Sequence, residues 1–368
     1  MKVVYNEAQK RHYPKNFVAS GVVTQNPEQP ERADRLFAAA LEAGLEHEVT
    51  SDQGLAPISA VHTPEYIEFL AHAHARWSHR KDASPEVIPN VHPGRGAAGY
   101  PRSVDGQAGY HMADTACPIS ADTWEAVRLS ASSAVQATRH VLGGAPAAYA
   151  LSRPPGHHAF ADMAGGFCYV NNSGVAAQVL RSAHDRVAIL DVDLHHGNGT
   201  QGMFYDRPDV LTVSLHCDPA RFYPFFWGYA DERGEGAGHG YNFNLPLPRH
   251  APDDVFLEAL DRGIERVRAY APGALVVALG LDAYVGDPFG GLGVTTDGFA
   301  RIAEKIAGLG LPTVIVQEGG YLTDDLGRNL ASFLTGFGGR HTLCRLQTGS
   351  ARAGIDMPRT GRGFSDPG

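Results

Sequence analysis

A buried-strand pattern runs directly into acids and imidazoles at residues 189–201, ILDVDLHHGNGTQ. Because side chains alternate along an extended chain, Asp191, Asp193 and His195 should share one face of the strand. Two carboxylates on one face repel each other unless a cation or hydrogen bonds absorb their charge. Burying a carboxylate without a partner also costs several kcal/mol. The spacing therefore predicts a cation beside these side chains.

Three other apolar runs end in residue types that bind metals or move protons. They are followed by His157 and His158 in RPPGHH (153–158), by Asp282, and by EGGY (318–321). The carboxyl ends of parallel strands form the ligand crevice of an open α/β sheet. We therefore expect these segments to meet.

The simplest resolution of the charge is a divalent metal held by Asp193, His195 and Asp282. Three protein ligands and one open position are typical of catalytic zinc, whereas a structural zinc closes its shell and prefers cysteine. Zinc lowers the pKa of its bound water to about 7 and polarises a carbonyl oxygen. Each ligand taken singly is more often a cap or a packed residue, so the prediction depends on the joint pattern.

Neighbouring residues could supply the proton transfers that such a metal needs. His157 and His158 are adjacent, so they point in different directions and can do different jobs. Asp191 and Asn198 are expected each to accept an N–H from one histidine, and the histidine backed by a carboxylate should be the more basic. Tyr321 follows two glycines and could present its phenol to a tetrahedral oxyanion.

Two segments of the sequence show no regular helix or strand pattern. Residues 78–120 lack a regular apolar period, are rich in Pro, Gly, His and charged residues, and have a length typical of functional or disordered loops. Residues 217–240 carry six aromatic side chains, which indicate either pocket walls or a satellite hydrophobic cluster. Gly166, Phe167 and Tyr223 are candidates to line a narrow channel to the metal.

The elements that must position these residues follow an α/β pattern. Short apolar runs alternate with stretches of helical period from about residue 145, as in a parallel sheet with helices on both faces. The predicted strands are 148–153, 187–193, 210–216, 274–282 and 312–321, and the predicted helices are 33–43, 64–76, 122–141, 173–184, 252–270, 296–309 and 324–336.

Composition favours one ordinary globular domain. Of 368 residues, 43% are hydrophobic and 19% charged, so a sizeable core can form. We predict a single catalytic domain over residues 1–345 and a loose tail, rich in Gly and Arg, over 346–368. The net charge of -9 argues against a nucleic-acid partner and would tolerate a cationic small substrate.

The cysteines and the N-terminus predict a cytoplasmic protein with reduced thiols. Four cysteines show no C-x-x-C spacing, and the opening residues MKVVYNEAQK lack the apolar region of a secretory signal. No apolar run approaches the roughly 18 residues of a membrane span, so no membrane association is expected.

Six ordered segments resemble the motifs of zinc-dependent histone deacetylases and acetylpolyamine amidohydrolases. They are RPPGHHA (153–159), GFCYVNNSGVAA (166–177), ILDVDLHHGNGTQ (189–201), TVSLHCDP (212–219), LGLDAYVGDP (279–288) and EGGY (318–321). The similarity spans about residues 20–337. It implies the α/β arginase/deacetylase fold, with a central, mostly parallel sheet of about eight strands flanked by helices on both faces.

The resemblance also implies roles for individual residues. Asp193, His195 and Asp282 would bind zinc, His158 would be the general base and then acid, His157 an electrostatic partner, and Tyr321 would polarise the acyl carbonyl. It further implies two structural potassium ions. The first would be held by Asp191 and by oxygens of Asp193, His195, Ser214 and Leu215, and the second by backbone oxygens of Phe204, Arg207 and Val210, with Tyr241 close by.

Within the family, the 78–120 insertion, TWEAV (123–127) and GYADE (228–232) look most like bacterial acetylpolyamine amidohydrolases. There the insertion helps to form a homodimer and narrows the channel, which implies slender substrates. Of two acids near the channel mouth in those enzymes, one corresponds to Asp105, but the other falls at Ala116, two residues from Asp114.

The leading hypothesis is therefore a zinc amidohydrolase that removes an acyl group, most simply acetyl, from a small slender substrate such as an acetylated polyamine or amine. A relative acting on neutral or xenobiotic amides would need no acids at the mouth. From other classes, we weighed a non-catalytic acyl-binding module, which Tyr321 beside an intact metal set opposes. A two-manganese ureohydrolase needs further bridging aspartates that the segment after His195 does not offer.

Overall fold

One parallel sheet of eight strands forms the centre of the computed structural model, which describes residues 1–94 and 99–353. In chain order the strands of these residues are β1 (Lys2–Tyr5), β2 (Asn16–Ala19), β3 (Val22–Gln25), β4 (Glu46–Val49), β5 (Ala147–Ala150), β6 (Val187–Asp191), β7 (Val210–Cys217), β8 (Asn242–Leu247), β9 (Ala274–Leu279) and β10 (Thr313–Gln317). The sheet order is β4-β1-β5-β10-β9-β6-β7-β8, while β2 and β3 form a separate antiparallel hairpin. The predicted fold class is confirmed.

The five predicted strands are present, and the sheet gains three more near its edges. β1, β4 and β8 were missed because they lack the continuous apolar run of a strand buried on both faces. β4 (EHEV) is an edge strand with mostly exposed side chains, and β8 contains two asparagines and Pro246. The ladders also end earlier than predicted, at Asp191 in β6 and at Leu279 in β9.

Helices occupy the seven predicted regions with small differences at their ends. The helices of the described residues are α1 (Glu31–Glu42), α2 (Ala56–Ser59), α3 (Pro64–Ser78), α4 (Val104–His111), α5 (Thr123–Leu142), α6 (Asn172–Leu180), α7 (Asn198–Phe204), α8 (Asp253–Tyr270), α9 (Thr296–Ala307) and α10 (Leu326–Ala353). Short 3-10 turns lie at Glu7–Arg11 and Gly236–Gly238. α10 was predicted to end at 336 but continues to Ala353, so it extends into the predicted tail of 346–368. Residues 354–368 of that tail lie outside the described residues.

Two hydrophobic layers sandwich the sheet and set the direction of the side chains that follow β6. Side chains of α1, α8, α9 and α10 form a cluster on one face, and those of α5 and α6 form one on the other. Ala188, Leu190, Val192 and Leu194 all pack in the first cluster, although the ladder of β6 ends at Asp191. The alternation therefore continues past the strand, and the side chains at 191, 193 and 195 project to the opposite side.

The 78–120 segment contributes a core of its own. It contains α4 and an isolated bridge between Val87 and Ile119. Val104, Ala108 and Met112 pack in a third hydrophobic cluster with side chains of α3 and α5. The part of this segment that the structure describes is thus not a passive loop. Its predicted part in a dimer remains a prediction.

Two further sequence expectations can be compared with the described residues. Cys117, Cys168 and Cys217 are free and buried. Within residues 1–94 and 99–353, no helix combines the length and apolar character that crossing a membrane requires.

A buried ion cluster ties the N-terminal region to the sheet. Glu28 is fully buried and pairs with Arg32 at 2.7 Å and with Arg153 at 3.0 Å. Arg153 also donates to the backbone oxygens of Gln9 and Gln29, at 2.9 and 3.2 Å. Guanidinium groups pair well with a carboxylate in this way because their donors are fixed in a planar fork.

Breaking this cluster should destabilise the protein strongly. Glu28→Gln leaves two buried guanidinium groups without a countercharge, so we expect the free energy of unfolding, measured by urea denaturation, to fall by about 3 kcal/mol or more. The matched control is Asp261→Asn, which removes an exposed pair with Lys305 at 2.6 Å and should cost less than about 1 kcal/mol. Equal losses in the two variants would contradict the assignment of stability to the buried cluster.

Candidate metal centre and active site

Four neighbouring strands of the sheet, in the order β5-β10-β9-β6, each deliver one predicted segment to the same edge. The histidine pair follows β5, Tyr321 follows β10, Asp282 follows β9, and Asp193 and His195 follow β6. Because all four strands run parallel, their carboxyl ends lie side by side. The sheet order alone brings together segments that are far apart in the chain.

Two carboxylates and one imidazole converge at this edge. One ligand atom from each of Asp193, His195 and Asp282 lies within 4.8 Å of the others, and all three side chains are buried. His195 Nδ1 lies 3.1 Å from Asp282 Oδ2 and 3.3 Å from Asp193 Oδ1. This is the group that the sequence predicted to hold a metal.

Backbone N–H groups fix both carboxylates. Asp193 Oδ2 accepts from Gly319 N at 2.8 Å, and Asp282 Oδ1 accepts from Leu194 N at 3.1 Å. A Cβ at Gly280 would overlap the carboxylate of Asp193, and one at Gly319 would overlap that of Asp282. Glycine is therefore required at these two positions by the close approach of the acids.

His157 and His158 differ in their hydrogen-bond partners. His157 Nδ1 lies 3.0 Å from Asp191 Oδ2, and His158 Nδ1 lies 2.7 Å from Asn198 Oδ1. Although burial disfavours the charged imidazole, the charges of Asp193 and Asp191 raise the pKa of His157 to about 10. Burial and the neighbouring imidazoles lower the pKa of His158 well below its ordinary value. One ring is thus held charged and the other neutral at neutral pH.

Glu318 supports the turn that carries the histidines, a role that the sequence did not reveal. Its Oε2 accepts from Gly156 N at 2.6 Å and from His157 N at 3.0 Å, and its Oε1 accepts from Ser173 Oγ at 2.6 Å. Burial raises the pKa of this carboxyl to about 7. The only available signal was its position at the end of a predicted strand, which does not distinguish support from catalysis.

The loop that carries Tyr321 is held by two charged groups. Arg32 donates to the carbonyl oxygens of Glu318, at 2.8 Å, and of Gly320, and its guanidinium carbon lies 4.9 Å from the centroid of the Tyr321 ring. Asp287 Oδ2 accepts from Tyr321 N at 3.1 Å. Burial raises the pKa of the Tyr321 phenol well above its ordinary value, so it remains a neutral hydroxyl donor.

A cavity of about 480 Å³ adjoins these residues, and aromatic rings narrow it. Phe222 stacks on His195 with centroids 5.3 Å apart, and Tyr223 meets His158 edge-on at 5.0 Å. Three of the six aromatic residues of 217–240, namely Phe222, Tyr223 and Phe225, therefore form a wall of this cavity. Its lining consists of Phe17, Val18, Ala19, Ser20, Ala116, His158, Gly166, Phe167, His195, Arg221, Phe222, Tyr223, Phe225, Arg249, Phe289 and Tyr321.

Gly166 and Phe167 line this cavity in an uncommon backbone conformation. Both have positive φ, 51° and 69°. A Cβ at Gly166 would overlap the ring of His158, so the backbone itself forms the wall there. The ring of Phe167 lies 5.7 Å from that of Tyr321 and 6.3 Å from that of Phe289.

The hairpin of β2 and β3 contributes a further wall that the sequence analysis missed. Phe17 meets Phe167 edge-on at 5.7 Å, and Val18 N donates to Thr115 Oγ1 at 3.1 Å. A signal was present, because Ser20 and Gly21 occupy the turn with φ of 52° and 79° between two short apolar stretches. A Ser-Gly pair in such a position is typical of a two-residue hairpin turn.

Neither of the two acids considered for the channel mouth lines the cavity. Asp105 lies on α4, where its carboxylate pairs with Arg80 at 2.8 Å. Asp114 Oδ2 accepts from Tyr223 Oη at 2.8 Å and from Gly166 N at 3.1 Å. Neither acid is among the cavity-lining residues of the described chain, so the structure does not bring Asp105 to the predicted channel.

The residues expected to hold potassium form two groups, one beside the middle of β7 and one near its start. Asp191 and Ser214 are register partners on β6 and β7, and Leu215 follows Ser214. The second group lies between the end of α7 and the start of β7, where Arg207 N donates to Phe204 O at 3.1 Å. Nearby, Tyr241 O accepts from Thr212 N at 3.0 Å, and β7 begins at Val210.

Comparison with known proteins identifies the family. The family model described as "Histone deacetylase domain" matches residues 26–337. The chain belongs to the histone deacetylase family. It is therefore a hydrolase that acts on amide bonds, rather than a non-catalytic acyl-binding module. The family implies a zinc cofactor, for which the described residues offer the group of Asp193, His195 and Asp282.

The relatives of this chain within the histone deacetylase family include bacterial acetylpolyamine amidohydrolases. It is 48% identical over 339 residues to the acetylpolyamine amidohydrolase of Burkholderia pseudomallei, and the aligned region covers 92% of this chain and 99% of that protein. It is 42% identical over 344 residues to acetylpolyamine amidohydrolase 1 of Pseudomonas aeruginosa, covering 92% and 99%. The crystal structure of the Burkholderia pseudomallei acetylpolyamine aminohydrolase superimposes with a TM-score of 0.90 at 48% identity, covering 92% and 99%.

The close approach at Gly280 gives a test of the metal centre that does not depend on turnover. Gly280→Ala places a Cβ against the Asp193 carboxylate, so we expect the metal content of the purified protein, measured by plasma mass spectrometry, to fall roughly tenfold. The control is Gly338→Ala on α10, where a Cβ would meet nothing within 4 Å. Full metal content in Gly280→Ala would show that this geometry does not hold the ion.

Proposed function

We propose that this protein is a zinc-dependent deacetylase that removes the acetyl group from a small acetylated amine, such as an acetylated polyamine. The observation that carries the proposal is the convergence of His158, His195 and Tyr321 on one cavity, with Asp193 and Asp282 buried behind it. The names of the bacterial relatives support the substrate class.

The chemistry of the donor set fits zinc. Two carboxylates and one imidazole, all buried, supply three ligands of the kinds that catalytic zinc uses, and the adjoining cavity leaves room for a further ligand. Burial raises the pKa of Asp282, and the charge of Asp193 raises it further, so a cation would relieve their repulsion. When bound, zinc supplies Lewis acidity that polarises a carbonyl oxygen and acidifies water.

His158 is suited to move protons during amide hydrolysis. Because Asn198 Oδ1 faces its Nδ1, the proton of the neutral ring resides on Nδ1, and Nε2 is free to accept a proton from the attacking water. The lowered pKa of His158 keeps it neutral before reaction, as a general base requires. The same ring then donates that proton to the departing amine nitrogen. His157, whose Nδ1 lies 3.0 Å from Asp191 Oδ2, packs beside this ring with centroids 4.1 Å apart.

Tyr321 is suited to stabilise the oxyanion that forms when water adds to the carbonyl carbon. Its phenol stays protonated, and a neutral hydroxyl can donate a hydrogen bond to a developing negative charge. Arg32 and Asp287 hold its loop, so little reorganisation is needed at the moment of reaction. The aromatic walls around Phe167 and Phe222 favour a slender acyl group over a bulky one.

Further parts of the proposal concern assembly and ions. We propose potassium at Asp191, Asp193, His195, Ser214 and Leu215, and at Phe204, Arg207, Val210 and Tyr241, which the neighbouring positions of Asp191 and Ser214 support. We also propose a single catalytic domain over residues 1–345, a homodimer formed through the 78–120 segment and a cytoplasmic location.

A second candidate function is the hydrolysis of neutral amides. It is favoured because the cavity lining contains no carboxylate among the described residues.

Metal removal tests the cofactor. We expect about one zinc per purified chain, loss of acetamide hydrolysis after dialysis against a strong chelator, and recovery when zinc is restored. Asp282→Ala should lack the zinc, whereas Asp297→Ala, which removes an exposed carboxylate on α9, should retain it. Two manganese ions per chain with release of urea from guanidino substrates would reject the deacetylase assignment.

Two substitutions test the proposed proton transfers. Tyr321→Phe and His158→Ala should each retain zinc but lose about 10²-fold or more in kcat on an acetylated diamine, since an oxyanion donor or a general base is missing. Tyr13→Phe and His72→Ala alter exposed residues of the same types and should leave kcat within about twofold. Rates near wild type in the first pair would remove these two role assignments.

A further inference from the structure

The charged side chains on the wall of the catalytic cavity are basic. Besides the two histidines of the site, Arg221 and Arg249 line it, and no aspartate or glutamate of residues 1–94 and 99–353 does so. This contrasts with the net charge of -9 for the whole chain. The side chains that carry a full charge on the cavity wall therefore differ in sign from the net charge of the whole chain.

Asp114, which contacts the lining residues Tyr223 and Gly166, cannot readily take a cationic substrate end, because both of its oxygens are engaged. Both oxygens of Asp114 accept hydrogen bonds, Oδ1 from Ala116 N at 2.8 Å and Oδ2 from Tyr223 and Gly166. The carboxylate of Asp105 pairs with Arg80. A cationic end would have to compete with these donors.

Arg249 is separated from the candidate metal ligand by one aromatic ring. Its guanidinium carbon lies 5.6 Å from the centroid of Phe222, and that ring stacks on His195 with centroids 5.3 Å apart. Arg249 Nη2 donates to Gly290 O at 3.0 Å, which anchors the side chain and leaves other donors available.

Arg221 completes the basic pair at the mouth. It lies on the same aromatic loop, directly before Phe222, and is exposed. Neither Arg221 nor Arg249 forms an ion pair with a carboxylate within the described part of the chain. Exposed guanidinium groups with free donors bind carboxylates well, because the planar fork matches the two oxygens.

We propose that Arg221 and Arg249 bind a carboxylate at the far end of the substrate, so that acetamidoalkanoates, in which an acetylated amine and a carboxylate terminate one carbon chain, are a further substrate class. This inference uses the chemistry of the proposed function. Water adds to the acetyl carbonyl, the C–N bond breaks, and the amine nitrogen receives the proton that His158 took from water. The products are acetate and the free amino acid.

The test compares three substrates of one length that differ only at the far end. They are 6-acetamidohexanoate, N-hexylacetamide and N-acetyl-1,6-diaminohexane, which end in a carboxylate, a methyl group and an ammonium group. We expect kcat/KM for the carboxylate to exceed that for the neutral amide about tenfold at low ionic strength. The advantage should shrink as salt is added, because both arginines are exposed.

The substitutions Arg221→Gln and Arg249→Gln should each lower the carboxylate-to-neutral ratio of kcat/KM several-fold, and the double variant should bring it to about one. Both side chains are at the surface, so folding should not be affected. The matched control, Arg262→Gln on α8, removes an exposed arginine and should keep the ratio of the wild type.

Each failure has its own signature. A ratio near one in the wild type, or a tenfold ratio that persists in the double variant, overturns the role of the arginines. Preference for the ammonium substrate with no preference for the carboxylate also overturns it, and would indicate that acids outside this cavity lining recognise the substrate. If none of the three amides is hydrolysed by the zinc-loaded protein, the proposed function itself fails.

Discussion

The repulsion between two buried carboxylates constrains the whole site. Asp193 and Asp282 lie on adjacent loops at the edge of the sheet, out of contact with bulk water. Their charge is met in part by backbone N–H groups and by the imidazole of His195. The same demand excludes any side chain at positions 280 and 319, where a Cβ would occupy the space of a carboxylate. These contacts compensate the negative charge only in part, so the two carboxylates still require a cation as a partner.

The order of strands in the sheet brings these charged side chains together from segments that are distant in the chain. The central strands β5, β10, β9 and β6 lie side by side and parallel, so the loops after them open at one edge. Each of these strands is buried on both faces, which makes it a rigid support for the residues that follow. Glu318 accepts hydrogen bonds from the backbone N–H groups of Gly156 and His157 and so fixes the turn that carries the histidine side chains.

How much of this could be predicted depended on whether the signal was local. The metal group and the histidine pair were predictable because each follows a continuous apolar run. β4 and β8 at the two edges of the sheet were not predictable, because β4 has mostly polar side chains and β8 contains asparagines and a proline. The cluster of Glu28 with Arg153 joins residues more than a hundred positions apart, and no local pattern encodes such a pairing. The hairpin turn at Ser20 was local but was not recognised.

Chemistry and specificity therefore have different sources in this chain. The proposed reacting groups follow buried strands, so their positions can be inferred from the order of strands in the sheet. The mouth of the cavity is built from surface loops, where proximity in sequence is a poor guide to contact. Asp114 lies two residues from a lining position, yet both its oxygens bind the protein itself, whereas Arg249 comes from the segment after β8 and reaches the aromatic wall. We therefore expect the charge preference for substrates to depend on the hydrogen-bond partners of the charged groups at the mouth, and less on how many acids lie near it in the sequence.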